Sequence, residues 1–266
     1  MTQSTQSGLH VRFPGESFIS QAEFDQFCQE QHDLLAARFA HEQRLVPESG
    51  PVVREGTCAP CLRVTRFTTP VDPADGPNWR EAQQCDCADR LGNRARAALH
   101  YLESVAGLAD WSRVLLFGPP DVLDRRLAAE RPGFVRQPRL IQQDGAWRVD
   151  APDARFQAVI SWDHLHHVPP LAEALAEFRR VLAPGGSLVF TVPLRYRAGR
   201  TESHLELART PKGGLVAERS EEVHEIGWDI LDMLRKAGFV AARAHHYWSE
   251  ELGYLGPFNL LFSANL

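Results

Sequence analysis

The chain has 266 residues, 44% hydrophobic and 24% charged, enough for one substantial α/β core and a smaller appendage. Its formal charge of −5, from 29 basic and 34 acidic residues mixed along the chain, excludes the electrostatic footprint of a nucleic-acid binder and favours a small-molecule substrate. No apolar run reaches 18 residues, and the opening MTQSTQSGLHVRFPGES has neither a basic start nor an apolar stretch, so no membrane partner is expected and the expected compartment is the cytoplasm.

Ser20 and Glu23 make a capping-box pattern, after which Phe24, Phe27, Leu34, Leu35 and Phe39 recur at roughly helical spacing. They predict one amphipathic helix to about Gln43, with Cys28 as a small apolar residue on it. Residues 45–92 are rich in turn formers and poor in periodic runs, as in a small loop-built module. Within it Cys58 and Cys61 form CxxC, Cys85 and Cys87 form CxC, and the 23 residues from Leu62 to Gln84 suffice for a hairpin-like knuckle that joins the pairs. Four thiolates satisfy tetrahedral Zn²⁺ and leave no open position, which defines a structural zinc site. The rival reading is buried free thiols, against which stand loops too polar to form a core unaided. A catalytic thiol is disfavoured, because no cysteine stands apart with a base nearby. Arg94 and Arg96 either contact an acidic substrate or, as the better reading, lie on a solvated helix face.

Arg94–Ala106 is a predicted helix ended by Gly107. Val114–Phe117 is a buried strand, and Asp121–Glu130 a helix ended by Pro132 and Gly133. Phe156–Trp162 is a second buried strand. Leu171–Leu182 is a helix with Pro169 and Pro170 at its start, APGG closes it, and Ser187–Pro193 is a third strand. Residues 194–225 are polar and interrupted by Pro211, Gly213 and Gly214, and read as a substrate lid or, more blandly, a long loop. Ile226–Ala237 is a helix, and Val240–Trp248 with Phe258–Ala264 a closing hairpin. The alternation argues an α/β fold with a doubly wound, mostly parallel sheet over 108–266, preceded over 1–107 by a helix, the cysteine module and a linking helix.

The segment FQAVISWDHLHHVPPLAEALAEFRRVLAPGGSLVFTVPL, residues 156–194, resembles the centre of class I S-adenosylmethionine-dependent methyltransferases of the type 11-like group, and IGWDILDMLRKAGFV looks like their late helix and following glycine. The resemblance implies a seven-stranded Rossmann-like sheet, S-adenosylmethionine as cofactor, and methyl transfer to a small-molecule acceptor, with specialised metabolism as a fitting context. It places cofactor contacts at Phe117 and Gly118 after the first sheet strand, at Gln142 and Asp144 near the second, and at Trp162 and Asp163 after the central one. Two departures stand out. Pro119 and Pro120 replace the usual spaced glycines and remove two N–H donors. Gln137, Gln142 and Gln143 stand where an acid grips the ribose in the family, leaving Asp144 as the nearby carboxylate. Both departures imply weakened cofactor binding.

His164, His166 and His167 end the central strand, where ligands of open α/β sheets bind. His166 and His164 are the candidate catalytic bases, an imidazole being suited to take a proton near neutral pH. The catalytic and structural readings of His166 stand level, whereas His167 reads as a turn residue. Trp162 is either core or an adenine-stacking ring, and Asp163 either a functional carboxylate or a cap. His204 and His224 are second-tier substrate contacts, otherwise surface residues. Two further readings use the same residues: a fold repurposed for other chemistry, and a non-catalytic partner subunit. A homodimer is compatible with all three.

Overall fold

The computed structural model describes residues 11–107, 110–118, 122–137, 139–143, 145–168, 170–204 and 223–266. They fall into two compact units. One takes the chain up to Gly15, then Gln31–Ala109 and Tyr247–Asn259; the other takes Glu16–Glu30, Asp110–His246 and Leu260–Leu266.

The second unit is built on a seven-stranded sheet whose strands are, in chain order, β1 (Gly15–Phe18), β2 (Val114–Phe117), β3 (Val135–Gln137), β4 (Phe156–Trp162), β5 (Leu182–Thr191), β6 (Val240–Tyr247) and β7 (Leu260–Asn265). Across the sheet they run β3-β2-β4-β5-β7-β6-β1. The neighbours β3, β2, β4 and β5 pair in parallel, while β7 is antiparallel to both β5 and β6. This is the expected mostly parallel α/β sheet, and its last two strands make the expected closing pair. Its edge strand β1 comes from GESF, which carries no strand pattern.

Burial explains why the central strands were legible. VLLF of β2 is apolar at every position and buried on both faces, as a strand with parallel neighbours on each side requires. The helix Leu171–Val181 follows Pro170 and buries Leu171, Ala174, Leu175, Phe178 and Val181, a stripe at helical spacing. APGG does not merely close that helix. It lies inside β5 as a bulge: the pairing steps from Phe156 opposite Leu182 to Ala158 opposite Ser187, and Gly185 takes up the extra chain at φ +74°.

The N-terminal helix is two helices, Gln21–Glu30 and His32–Arg44. Half of the capping box forms as expected, the Glu23 N–H donating to Ser20 Oγ at 3.3 Å, while the Glu23 carboxylate accepts from the Ile19 N–H at 2.8 Å, one residue before the cap. Phe24 is buried and packs on Trp228 at 4.9 Å between ring centroids. The apolar phase is then lost across Gln31, because Leu34 and Phe39 are 44% and 54% exposed. The second helix instead buries Glu42, whose carboxylate accepts from Trp248 Nε1 at 2.7 Å and from the Gly256 N–H at 2.8 Å.

In the first unit, Val52–Cys58 and Arg63–Thr69 form an antiparallel hairpin, and the short strand Gln84–Cys85 pairs with the latter. The linking helix Asn93–Ser104 buries Ala97, Ala98, Leu99 and Leu102.

Candidate active site at the strand ends

After β2 the chain passes to β3 on one side, while β4 lies on the other, so a crevice opens beyond the carboxyl ends of β2 and β4. Gly118 and His164 face each other there. Gly118 has φ +145°, which favours glycine, and its N–H donates to Gln137 O at 3.0 Å. A Cβ at this position would stand 3.4 Å from both Cβ and Cγ of His164. The Phe117 ring is fully buried, 4.8 Å from Phe178 edge-on and 5.4 Å from the His164 ring, so this residue can offer a ligand its backbone but not its ring.

Beyond β4 the chain makes a tight turn. Asp163 takes φ +36°, an uncommon conformation for a residue with a side chain, and is fixed there by its N–H donating to Thr191 O at 2.9 Å and Thr191 Oγ1 at 3.1 Å. Leu165–His167 is a single 3-10 turn, closed by the His167 N–H donating to His164 O at 2.9 Å. The three histidines therefore cluster, but unequally. His166 is buried, with its ring 3.9 Å from that of His167, and its carbonyl accepts from the Val223 N–H at 2.9 Å. His164 is half-buried beside Gly118, 6.1 Å from the His167 ring. Trp162 is half-buried with its indole N–H enclosed and without an acceptor among the described residues.

The position expected to grip a ribose is occupied differently. Gln137 ends β3 and is buried, with both ends of its amide engaged: Nε2 donates to Arg139 O at 2.8 Å and Oε1 accepts from the Asp150 N–H at 2.9 Å. It holds its own loop. Gln142 pairs with Trp147 in a small hairpin, although its side chain, like Pro119, Pro120 and Asp144, lies outside the described residues. The same holds for 205–222 of the segment read as a lid. At its described ends, Glu202–Ser203 pairs with His224–Glu225. His224 is buried rather than a surface residue, held by Ser203 Oγ at 2.8 Å and Val168 O at 3.1 Å, and burial pushes its pKa down. Glu202, His204 and Glu225 also converge, but Glu225 already pairs with Arg195 at 2.5 Å.

The structure brings Cys58, Cys61, Cys85 and Cys87 together, all four sulfurs lying within 4.8 Å of one another, and none of the five cysteines is in a disulfide. Cys28 stands apart on the first helix, half-buried. Arg96, read from sequence as a solvated helix residue, is instead fully buried. An arginine on a polar-looking helix gives no signal of this, because the groups that receive it are distant in sequence.

S-adenosylmethionine fits the described strand ends in part. The backbone at Gly118 carries no Cβ, and the turn that begins at Asp163 brings His164 beside it. The charged ribose partner has no counterpart among the described residues at the end of β3, where Gln137 is committed elsewhere.

Comparison with known proteins finds solved structures with a partial likeness to this chain. A solved S-adenosylmethionine-dependent methyltransferase of Archaeoglobus fulgidus is 14% identical, with 66% of this chain and 95% of that chain covered at a TM-score of 0.42. One from Mesorhizobium loti is 18% identical over 58% of this chain and 90% of that chain, at a TM-score of 0.36. A third, described as a possible histamine N-methyltransferase of Thermotoga maritima, is 15% identical over 63% and 88%, at 0.38. No curated protein matches the chain. The profile of the methyltransferase-domain family matches residues 70–249, more than half of the chain, with the β2–β4 crevice inside the match, and the chain accordingly belongs to that family as a class I S-adenosylmethionine-dependent methyltransferase.

Proposed function

We propose that this methyltransferase acts on a small-molecule acceptor, with His164 as the group that takes the acceptor's proton. The observation that carries the reading is the packing of the His164 ring against Gly118, which puts an imidazole at the crevice between β2 and β4. When bound, S-adenosylmethionine supplies an electrophilic methyl group on a sulfonium. Gly118 lets the cofactor pass close to the backbone, and the Trp162 N–H and the Asp163 carboxylate supply a donor and an acceptor beside it. Gln142 and Asp144 are the remaining polar candidates for the ribose.

His164 would orient the acceptor's hydroxyl or amine and accept its proton as the new bond to carbon forms. His166, buried under the same turn, would fix the height and direction of that turn through its carbonyl bond to Val223 and its ring contact with His167. A small acceptor is favoured by the mixed, net acidic charge, which gives no attraction for a polyanion.

The test is titration calorimetry with S-adenosylmethionine, followed by turnover of labelled cofactor against a metabolite extract. Micromolar or weaker binding with label transferred to a small molecule is the expected result. No binding at millimolar cofactor by folded protein would overturn the proposal.

A further inference from the structure

We infer that Cys58, Cys61, Cys85, Cys87 and the buried Arg96 form one metal centre, in which the guanidinium balances the negative charge of a zinc tetrathiolate. The geometry of the sulfurs is the first ground. Cys58 ends one hairpin strand, the 3-10 turn Ala59–Cys61 follows, and Leu62 at φ 50° turns the chain back into Arg63–Thr69. Cys85 is brought to the same point by pairing with Phe67, and the Asp86 N–H donating to Arg66 O at 2.9 Å holds CxC against the same strand. A tetrahedral site with zinc–sulfur bonds of about 2.3 Å has sulfur–sulfur edges of about 3.8 Å, which side-chain adjustment reaches from a cluster closed to within 4.8 Å. Cys58, Cys85 and Cys87 are buried and Cys61 half-buried, and four sulfur ligands leave no open coordination position for a substrate.

Arg96 is the second and independent ground. It is fully buried, yet its acceptors are all neutral: Leu91 O at 3.0 Å, Gln83 Oε1 at 3.0 Å and Gly253 O at 2.6 Å. Its Nε–H meets no acceptor among the described residues. A buried cation without an anionic partner is among the costliest arrangements in a folded protein. The guanidinium lies 4.4 Å from the ring centroid of Phe67, the residue opposite Cys85 in the strand pairing, so it sits beside the cysteine cluster, whose thiols ionise once a metal is bound. Binding of one Zn²⁺ displaces the thiol protons and leaves a centre of net charge −2. Arg96 offsets half of that charge. Leu91 O accepts from both Arg96 and the Cys85 N–H, at 3.0 Å and 3.1 Å, so the guanidinium is also tied to the ligand-bearing strand.

Elemental analysis of the purified full-length protein should find one zinc per chain, and cobalt substitution should give the thiolate-to-metal charge-transfer absorption of a tetrahedral four-sulfur site. Metal-free, folded protein in which all five thiols titrate would overturn the inference. In chelator competition Arg96→Met should weaken zinc binding about tenfold to a hundredfold. It should also lower the melting temperature of the zinc-loaded protein more than that of the zinc-stripped protein, where Arg96 has no anion to balance. Equal shifts in the two forms, with zinc affinity unchanged, would make Arg96 a packing residue only and refute its role. Should Arg96→Met fail to fold, Arg96→Lys decides the matter. Keeping the charge while losing the fork, it should bind zinc within a few-fold of the parent even if less stable, and a loss of zinc affinity matching that of Gln83→Ala would count against charge compensation.

Discussion

Gly118 and His164 meet where β2 and β4 diverge, the glycine's missing Cβ corresponding to a point 3.4 Å from the histidine's Cβ and Cγ. Space there is snug without being closed, so the torsion matters more than the contact: φ +145° is accessible to glycine and costly for other residues. Gly118→Val should therefore cost roughly 1 to 3 kcal/mol in strain and displace the His164 turn. We expect it to remove measurable S-adenosylmethionine binding by calorimetry while leaving a folded protein by circular dichroism. Binding equal to the parent would dissociate Gly118 from the cofactor.

The two candidate bases should separate by kind of defect. His164→Ala removes a half-buried ring at the crevice and should lower turnover by about 10²- to 10⁴-fold, with cofactor affinity changed only a few-fold. His166→Ala empties a buried position against the His167 ring and should appear first as a lower melting temperature. Turnover loss confined to His166→Ala, in a protein as stable as the parent, would reverse the assignment.

How far the sequence could carry this reading depends on the range of the interactions. VLLF and FQAVISW announce buried strands because each is decided by its own composition, and CxxC with CxC announces a four-sulfur cluster because the ligands are local pairs. Arg96 is different. Its acceptor Gly253 lies 157 residues away, and the helix pattern around it looks like an ordinary charged face. The break at Gln31 was equally hidden, since Leu34 and Phe39 suggest a continuing apolar stripe that tertiary packing of Glu42 overrides. GESF joins the sheet as β1 by edge pairing, for which its residues give no periodic signal. At the site, the order strand, turn, histidines was legible, whereas the commitment of Gln137 to Arg139 and Asp150 was not.

Gln137 gives a direct test of whether the end of β3 can be returned to a ribose clamp. Gln137→Glu restores a carboxylate, but the atom that now donates to Arg139 O would become an acceptor facing an acceptor. The change should destabilise the protein by roughly 1 to 3 kcal/mol in urea unfolding and should not tighten S-adenosylmethionine binding. A tighter complex would mean that the loop can release Gln137 and that the position still serves the cofactor.

The last expectation concerns acid. His245 on β6 is half-buried and bonded to Ser263 Oγ at 2.8 Å, and burial, aided by Arg243, pushes its pKa down from 6.5 to about 4. Folding thus favours the neutral ring. As pH falls below about 6.5 the unfolded chain takes a proton that the folded chain refuses, so stability is full above that value, declines down to about pH 4 and changes little from this group below it. The window corresponds to roughly 3 kcal/mol for one group. His224, also held neutral by burial, adds a decline of the same sign. Because cysteine protonation acts over the same acidic range when metal is bound, the informative quantity is the difference between the parent and His245→Gln, measured by urea unfolding at pH 7.0, 5.5 and 4.5. The variant should lose stability less steeply on acidification, its deficit at pH 7 narrowing toward pH 4.5. Parallel curves for the two proteins would show that His245 takes up its proton as easily folded as unfolded.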